Sequence, residues 1–323
     1  MTEPLPSNAR VLIVFNPAAG QAGSYQQDLH AAAAVWRGHG WRVDLRPTAG
    51  PGDGTRIARE AAAQGYDVVA AAGGDGTINE VVNGLVGTGA ALAALPVGTV
   101  NVWVRELGLP LQPRATAEAL LRGQVRRIDL GRAGRRYFLL MAGVGIDAAV
   151  VGEVRAPEKR RLGIFAYVLR AVGVALRYRG TRARVFLDGR RAGGRVLLVV
   201  IGNSQLYGGV VKITARAVID DGLLDVCIIK GTSFRSVLLR ALSILLQRHT
   251  ADPKIEYHRA RSVRVEARRS MPVQVDGDYI GHTPMTFEVA PGALRALLPQ
   301  QLPPGLLYSE APAGRGHWRF WKR

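Results

Sequence analysis

The sequence predicts two domains of different class, an N-terminal, mainly parallel α/β domain followed by a C-terminal β-sandwich. Three observations carry that expectation. The first third alternates strand-like and helix-like hydrophobic periods. From about Val125 the rhythm changes to short apolar runs separated by Gly, Asp and Pro signals. And 323 residues, 48% hydrophobic and 21% charged, suffice to bury two cores.

Taken in order, Arg10–Phe15 reads as a buried strand and residues 16–20 as a loop. Ser24–Gly38 reads as a helix with Ser24 at its N-cap. A strand at 41–46, a helix at 55–64, a strand at 67–72, a helix at 77–85 and a strand at 91–95 complete a βαβαβαβ order. That order places helices on the faces of a parallel sheet. Thr77 and Glu80 have capping-box spacing at the start of the last helix. The domain boundary falls within 121–127, giving an α/β domain over 1–124 and a sandwich over 125–300. In the sandwich, strands are expected at 137–142, 183–187, 195–201, 224–229, 262–267, 272–275 and 285–289, interrupted by helices at 159–179 and 234–248. The tail from 301, rich in Pro and Gly, reads as loosely structured and could return to the N-terminal domain.

The lone Cys227 sits in an apolar run, so it reads as a small buried side chain, and neither a disulfide framework nor a CxxC metal site can form. The histidines lack HxH or HxxxH spacing, and no Ser-His-Asp or Cys-His nucleophile pattern is present. No apolar run approaches the roughly 20 residues of a bilayer span, and the N-terminus lacks a signal-peptide core. A formal charge of +18 predicts attraction to polyanions, whether nucleic acid, an anionic membrane or phosphorylated ligands.

Gly73-Gly74-Asp75-Gly76-Thr77-Ile78-Asn79-Glu80 follows a strand and opens a helix. The glycines let backbone N–H groups approach a phosphate, and the helix N-terminus adds a favourable dipole. Asp75 would repel phosphates unless it acts through Mg²⁺ or orders backbone groups. Neither a Walker A loop nor a Rossmann GxGxxG accompanies this segment, so any nucleotide site is of another type.

With this loop, Asn16-Pro17-x-x-Gly20, Leu95-Pro96-x-Gly98-Thr99-x-Asn101, Gly143 to Ala148, Asn203 to Gly209, Asp220 to Asp225 and Val275 to Asp278 occur in order along the chain. Together they resemble the motifs of the diacylglycerol kinase catalytic family, which includes bacterial lipid kinases, sphingosine kinases and ceramide kinases. The resemblance spans nearly the whole chain. It implies an NAD-kinase/phosphofructokinase-like α/β domain and a β-sandwich, with ATP bound in the cleft between them and Mg²⁺ as cofactor. It implies nucleotide contacts from Asn16, Thr48, Gly73, Gly74, Asp75, Gly76, Thr77, Asn79, Glu80 and Thr99. Catalytic roles fall to Asp278, Asp75 and Asp147, with Asp278 standing where the family has the glutamate of a DGE segment. A metal site would use the Asp221 carboxylate and the carbonyls of Val218 and Leu223. Residues 275–279 equally have the pattern of a type I′ hairpin, Asp220-Asp221-Gly222 that of a β-turn, and a loop threonine such as Thr48 often bonds its own turn. Val102 follows Asn101 where many bacterial members carry an aspartate.

The implied activity is Mg²⁺-dependent transfer of a phosphoryl group from ATP to a lipid hydroxyl, most naturally that of diacylglycerol. NAD kinase, which shares the GGDGT loop, and a non-catalytic nucleotide-binding regulator are the competing readings. The basic helix at 159–179 and the aromatic, basic segment 318–323 fit transient association with an anionic membrane surface, and hence a cytoplasmic protein at the inner face of the membrane. Base-stacking aromatics are sparse before the tail, so no nucleic-acid partner is expected. An exposed sandwich edge could support a homodimer.

Overall fold

The computed structural model describes residues 2–17, 24–153, 173–174, 176–209, 211–232, 236, 239 and 252–308. Most of the helix expected at 159–179, the helix expected at 234–248, the loop residues 18–20 and the tail 309–323 lie outside the described residues.

The N-terminal half runs β1 (Thr2–Glu3), β2 (Arg10–Phe15), α1 (Ser24–Gly38), β3 (Arg42–Pro47), α2 (Asp53–Ala63), β4 (Val68–Gly73), α3 (Asp75–Leu85), β5 (Ala91–Pro96), α4 (Val102–Glu106) and α5 (Pro113–Leu121). The C-terminal half follows with β6 (Gln124–Ala133), β7 (Arg136–Phe138), β8 (Met141–Gly145), α6 (Ile146–Glu153), β9 (Thr181–Leu187), β10 (Arg190–Gly202), β11 (Leu206–Tyr207), β12 (Val211–Lys212) and β13 (Leu224–Lys230). It closes with β14 (Ile255–Ala260), β15 (Ser262–Ala267), β16 (Pro272–Val275), β17 (Asp278–His282) and β18 (Met285–Leu298). Most expected elements are present within a residue or two. The expected strand at 137–142 splits into β7 and β8, and the short α4, α5 and α6 carried too few periods to stand out.

In the first half β3, β2, β4 and β5 are parallel neighbours in that order. Residues of β4 and β5 are buried on both faces, which explains their unbroken runs of Val, Ala and Leu. The second half is antiparallel, with β10 at its centre between β8, β9 and β13. Alternate residues of β10 and β13 enter two different cores. Val199, Ile201, Val226 and Ile228 fill the sandwich, whereas Leu198, Val200, Cys227 and Ile229 join the cluster continuous with the α/β half. Cys227 is fully buried, and burial pushes its thiol up to about 12.

One strand joins the two halves. The sequence suggested that β18 stops near Val289, because Pro291-Gly292 reads as a breaker. Instead the strand bulges between Ala290 and Leu294, with Gly292 at φ 56°, and continues to Leu298. Asp129 accepts the Gly292 N–H at 2.7 Å and the Gly222 N–H at 2.6 Å, holding the bulge in place. Beyond it, Arg295 and Ala296 pair in parallel with Ala91 and Leu92 of β5. The first residues of the tail are not loose: Leu306 and Leu307 are buried in the first core.

Candidate functional site

The register of the parallel strands brings four loops to one edge. Phe15 pairs with Pro47 and with Ala72, and Gly73 pairs with Pro96. Asn16, Thr48, Gly74 and Gly98 therefore leave the sheet together at its carboxyl end, where open α/β sheets bind ligands. The Thr48 N–H donates to the Phe15 carbonyl at 2.8 Å, and its side chain is buried beside the strand ends. Thr99 and Gly76 are exposed at the same edge.

The glycines here are steric necessities. A Cβ on Gly98 would lie 2.5 Å from the Gly74 Cα, and one on Gly73 would lie 2.4 Å from the Thr77 Oγ1. The two loops thus touch backbone to backbone. Asn101, in the left-handed region at φ 51°, locks the second loop by donating to the Gly98 carbonyl at 2.6 Å and accepting the Gly98 N–H at 3.0 Å.

Of the helices that begin at this edge, α2, α3 and α4 have described starts, and their free N–H groups are treated differently. Glu80 does not close a capping box with Thr77. Its carboxylate instead accepts the Gly52 N–H at 2.8 Å and the Gly54 N–H at 2.9 Å, so it caps α2. Asp75 accepts the Val102 N–H at 3.0 Å and the Trp103 N–H at 3.2 Å, capping α4. The start of α3 has Gly74 as its N-cap and no side-chain cap, with open space about Gly76. Of the three, only the helix behind the glycine loop receives no carboxylate from another element on its first N–H groups. Burial raises the Asp75 carboxyl, opposed by those two N–H donors. Because that link uses backbone N–H groups, the valine at 102 leaves it intact.

The sandwich meets this edge through the β16–β17 hairpin. Asp276 and Gly277 have φ 45° and 84°, the two left-handed residues of a type I′ turn, and Val275 pairs with Asp278. The turn is a hairpin and yet is not solvated throughout. Asp276 is half-buried, accepting N–H groups from Leu139 at 2.8 Å, Leu140 at 3.0 Å and Met141 at 2.9 Å, and the Asn79 Nδ2 at 2.7 Å. Burial, outweighing those donors, raises its carboxyl to about 6. Asp278 is half-exposed and forms an ion pair with Arg136. Asn79, 2% exposed, spends its amide on this junction, accepting from the Arg136 Nη2 at 3.2 Å. Its place is behind the loop, against the sandwich.

Asp147 opens α6 beside the same hairpin. Its carboxylate accepts from the Ala148 N–H at 2.6 Å, the Gln274 Nε2 at 3.1 Å and the Tyr207 hydroxyl at 3.2 Å. It fills the hollow left by Gly143, whose Cβ would lie 1.8 Å from its Oδ2, and burial raises its carboxyl. The Gln274 Oε1 accepts the Gly277 N–H at 2.8 Å, so Asp147 is one bridge away from the turn that carries Asp278.

The Asp221 carboxylate, expected to hold a metal ion with the Val218 and Leu223 carbonyls, has partners within the protein. It accepts the Leu223 N–H at 3.0 Å and is paired with the Arg259 guanidinium, with its side chain 3% exposed. A cation ligated there would share the Asp221 carboxylate with that guanidinium. Among the described residues no three His, Cys, Asp or Glu side chains converge as a metal-ligand set.

Sequence reasoning missed Arg136, Asp276, Gln274 and Glu106. Glu106 is buried and accepts the Gln205 N–H at 2.7 Å and the Leu206 N–H at 2.8 Å, tying α4 to the sandwich. The Asp-Gly dipeptide signalled the turn at Asp276. Nothing in the sequence signals partners 135 to 197 positions away.

Comparison with known proteins matches two family models in succession along the chain. Residues 10–133 match the family model of the diacylglycerol kinase catalytic domain. Residues 141–298 match that of the YegS C-terminal NAD kinase beta sandwich-like domain. The chain is 32% identical over 281 residues to a diacylglycerol kinase of Bacillus subtilis, covering 86% of this chain and 92% of that one. It is 30% identical over 282 residues to a diacylglycerol kinase of Staphylococcus aureus, covering 86% and 89%. Its structure resembles the crystal structure of a diacylglycerol kinase from Bacillus anthracis with a TM-score of 0.73 and 27% identity, over 90% of this chain and 97% of that one.

Proposed function

The chain belongs to the diacylglycerol kinase family, and on that premise we propose that it transfers the γ-phosphoryl group of ATP to the hydroxyl of a lipid alcohol, with diacylglycerol the leading acceptor. One observation carries this reading. Among the helix starts described at the sheet edge, those of α2, α3 and α4, only the glycine loop of α3 receives no carboxylate from another element, and the hairpin bearing Asp278 is bonded to Asn79, one turn along that helix. Four residues of helix rise about 6 Å, which supports the reading that a nucleotide on the loop and a lipid hydroxyl beside the hairpin can meet within one helical turn.

In this reading Gly73, Gly74, Gly76 and Thr77 present N–H groups to the phosphates, while Asn16, Thr48 and Thr99 flank the nucleotide from the neighbouring strand ends. Asp278 accepts the proton of the lipid hydroxyl. Asp147 and Gln274 orient the turn beneath it. Asp75 already gives both carboxylate oxygens to the α4 N–H groups, so a Mg²⁺ ion carried by the nucleotide would share that carboxylate and take its other ligands from phosphate and water. When bound, the ion neutralises the charge that develops on the transferred group.

The test incubates the protein with labelled ATP and Mg²⁺ in mixed micelles of diacylglycerol, a sphingoid base, ceramide or a polyprenol, with NAD as a separate acceptor. Label is expected in diacylglycerol, and Asp278→Ala is expected to lower kcat by at least about 100-fold. Transfer to NAD and to no lipid would overturn the reading; full activity in Asp278→Ala would remove that residue as proton acceptor.

A further inference from the structure

Arg136 begins β7, a strand of three residues, and nothing in its local sequence marks it. Its setting does. The backbone of the next residue is clamped to α3: the Tyr137 N–H donates to the Asn83 Oδ1 at 2.9 Å, and the Tyr137 carbonyl accepts from the Asn83 Nδ2 at 3.0 Å and the Asn79 Nδ2 at 3.1 Å. The arginine therefore projects from a backbone fixed to the helix that follows the glycine loop. Its Nη2 donates both to the Asn79 Oδ1 at 3.2 Å and to the Asp278 Oδ2. Asn79 completes the connection by donating to Asp276, two residues before Asp278 in the same turn.

We propose that Arg136 is a positioning residue for phosphoryl transfer, holding the Asp278 carboxylate at a set place relative to the α3 loop through Asn79. The proposal rests on the kinase reading above. Without Arg136, the Asp278 side chain would be free to swing among solvated rotamers at the hairpin tip, since its other surroundings are half open to water. A pair exposed this much, with side chains 37% and 52% accessible, adds little to folding. Its effect should therefore fall on geometry, and a displacement of about 1 Å at a reacting centre can cost about 100-fold in rate.

Arg136→Gln and Arg136→Lys are compared with the unmodified chain in the mixed-micelle assay, reading kcat and KM for ATP and diacylglycerol, together with the thermal midpoint. The expected result is a roughly 10- to 100-fold fall in kcat for Arg136→Gln, with KM for ATP within about twofold and most of the rate restored in Arg136→Lys. An unchanged kcat in Arg136→Gln overturns the proposal. So does a roughly tenfold rise in KM for ATP at retained kcat, which would make Arg136 a phosphate ligand. A fall in the thermal midpoint of more than about 5 °C would assign it to folding and also overturn the proposal. Failure of the unmodified chain to phosphorylate any lipid alcohol would be a separate result, against the kinase reading itself.

Discussion

At the residue scale, the acids of this molecule are distinguished by what they accept rather than by where they fall in a motif. Asp75 and Glu80 both cap helices other than their own, and Asp276 caps a bend of the β7–β8 connection. Asp276 is the most demanding of the three. Its carboxyl is raised by burial from an ordinary 3.8 to about 6, so between those values the folded chain holds a proton that the unfolded chain has lost. The stability contributed by this group is therefore greatest at the acid end, falls as pH rises through that window, and is level above it. Asp276→Asn should lower stability at pH 7 by about 1–3 kcal/mol, since an amide nitrogen would face N–H donors. The gap in thermal midpoint between the native chain and this variant should widen as pH falls from about 6.5 to 4.5. A gap constant across that range would show that Asp276 is not raised.

At the element scale, α2 and α3 approach closely enough that a glycine is required between them. A Cβ on Gly84 would lie 2.5 Å from the Thr55 carbonyl oxygen and 2.7 Å from the Ala58 Cβ. Alanine there gains up to about 1 kcal/mol of helix propensity. The clash is with backbone, so the helices must separate, and they carry the loop and its capping Glu80 with them. Gly84→Ala should lower the thermal midpoint despite its better propensity, and chemical denaturation would show the sign. A rise in stability would mean that the two helices slide apart at no cost. The same closeness explains why the Thr77–Glu80 spacing misled as a capping box: Glu80 lies nearer to α2 than to its own N-terminus.

At the scale of the whole molecule, a formal charge of +18 is joined to a sandwich face on which the exposed Arg182 and Arg195 stand directly opposite one another on neighbouring strands. Like charges so placed repel and favour a nearby anion. No helix among the described residues is long and apolar enough to cross a membrane. The basic face leads to an expectation at this scale: vesicles rich in phosphatidylglycerol should bind the protein at low salt and release it as ionic strength rises towards about 0.5 M. Equal sedimentation with neutral and anionic vesicles at low salt would defeat this expectation.

The sequence by itself determined what depends on near neighbours along the chain. The alternation of parallel strands and helices, the glycine loop after β4, the runs of β10 and β13 and the turn at Asp276-Gly277 are all local periodicities or local backbone requirements. Only the tertiary structure decided what depends on distant partners. It gave Glu80 to α2 and Asp75 to α4, left the α3 N-terminus open, carried β18 through its bulge into the first sheet, and set Arg136 and Asn79 behind Asp278. Those outcomes are competitions among many polar groups for few partners, 26 to 197 residues apart along the chain. They are settled only once the strands fix which groups can meet. The glycine loop was legible because its chemistry is local; the clamp behind it was not, because its members come from opposite halves of the molecule.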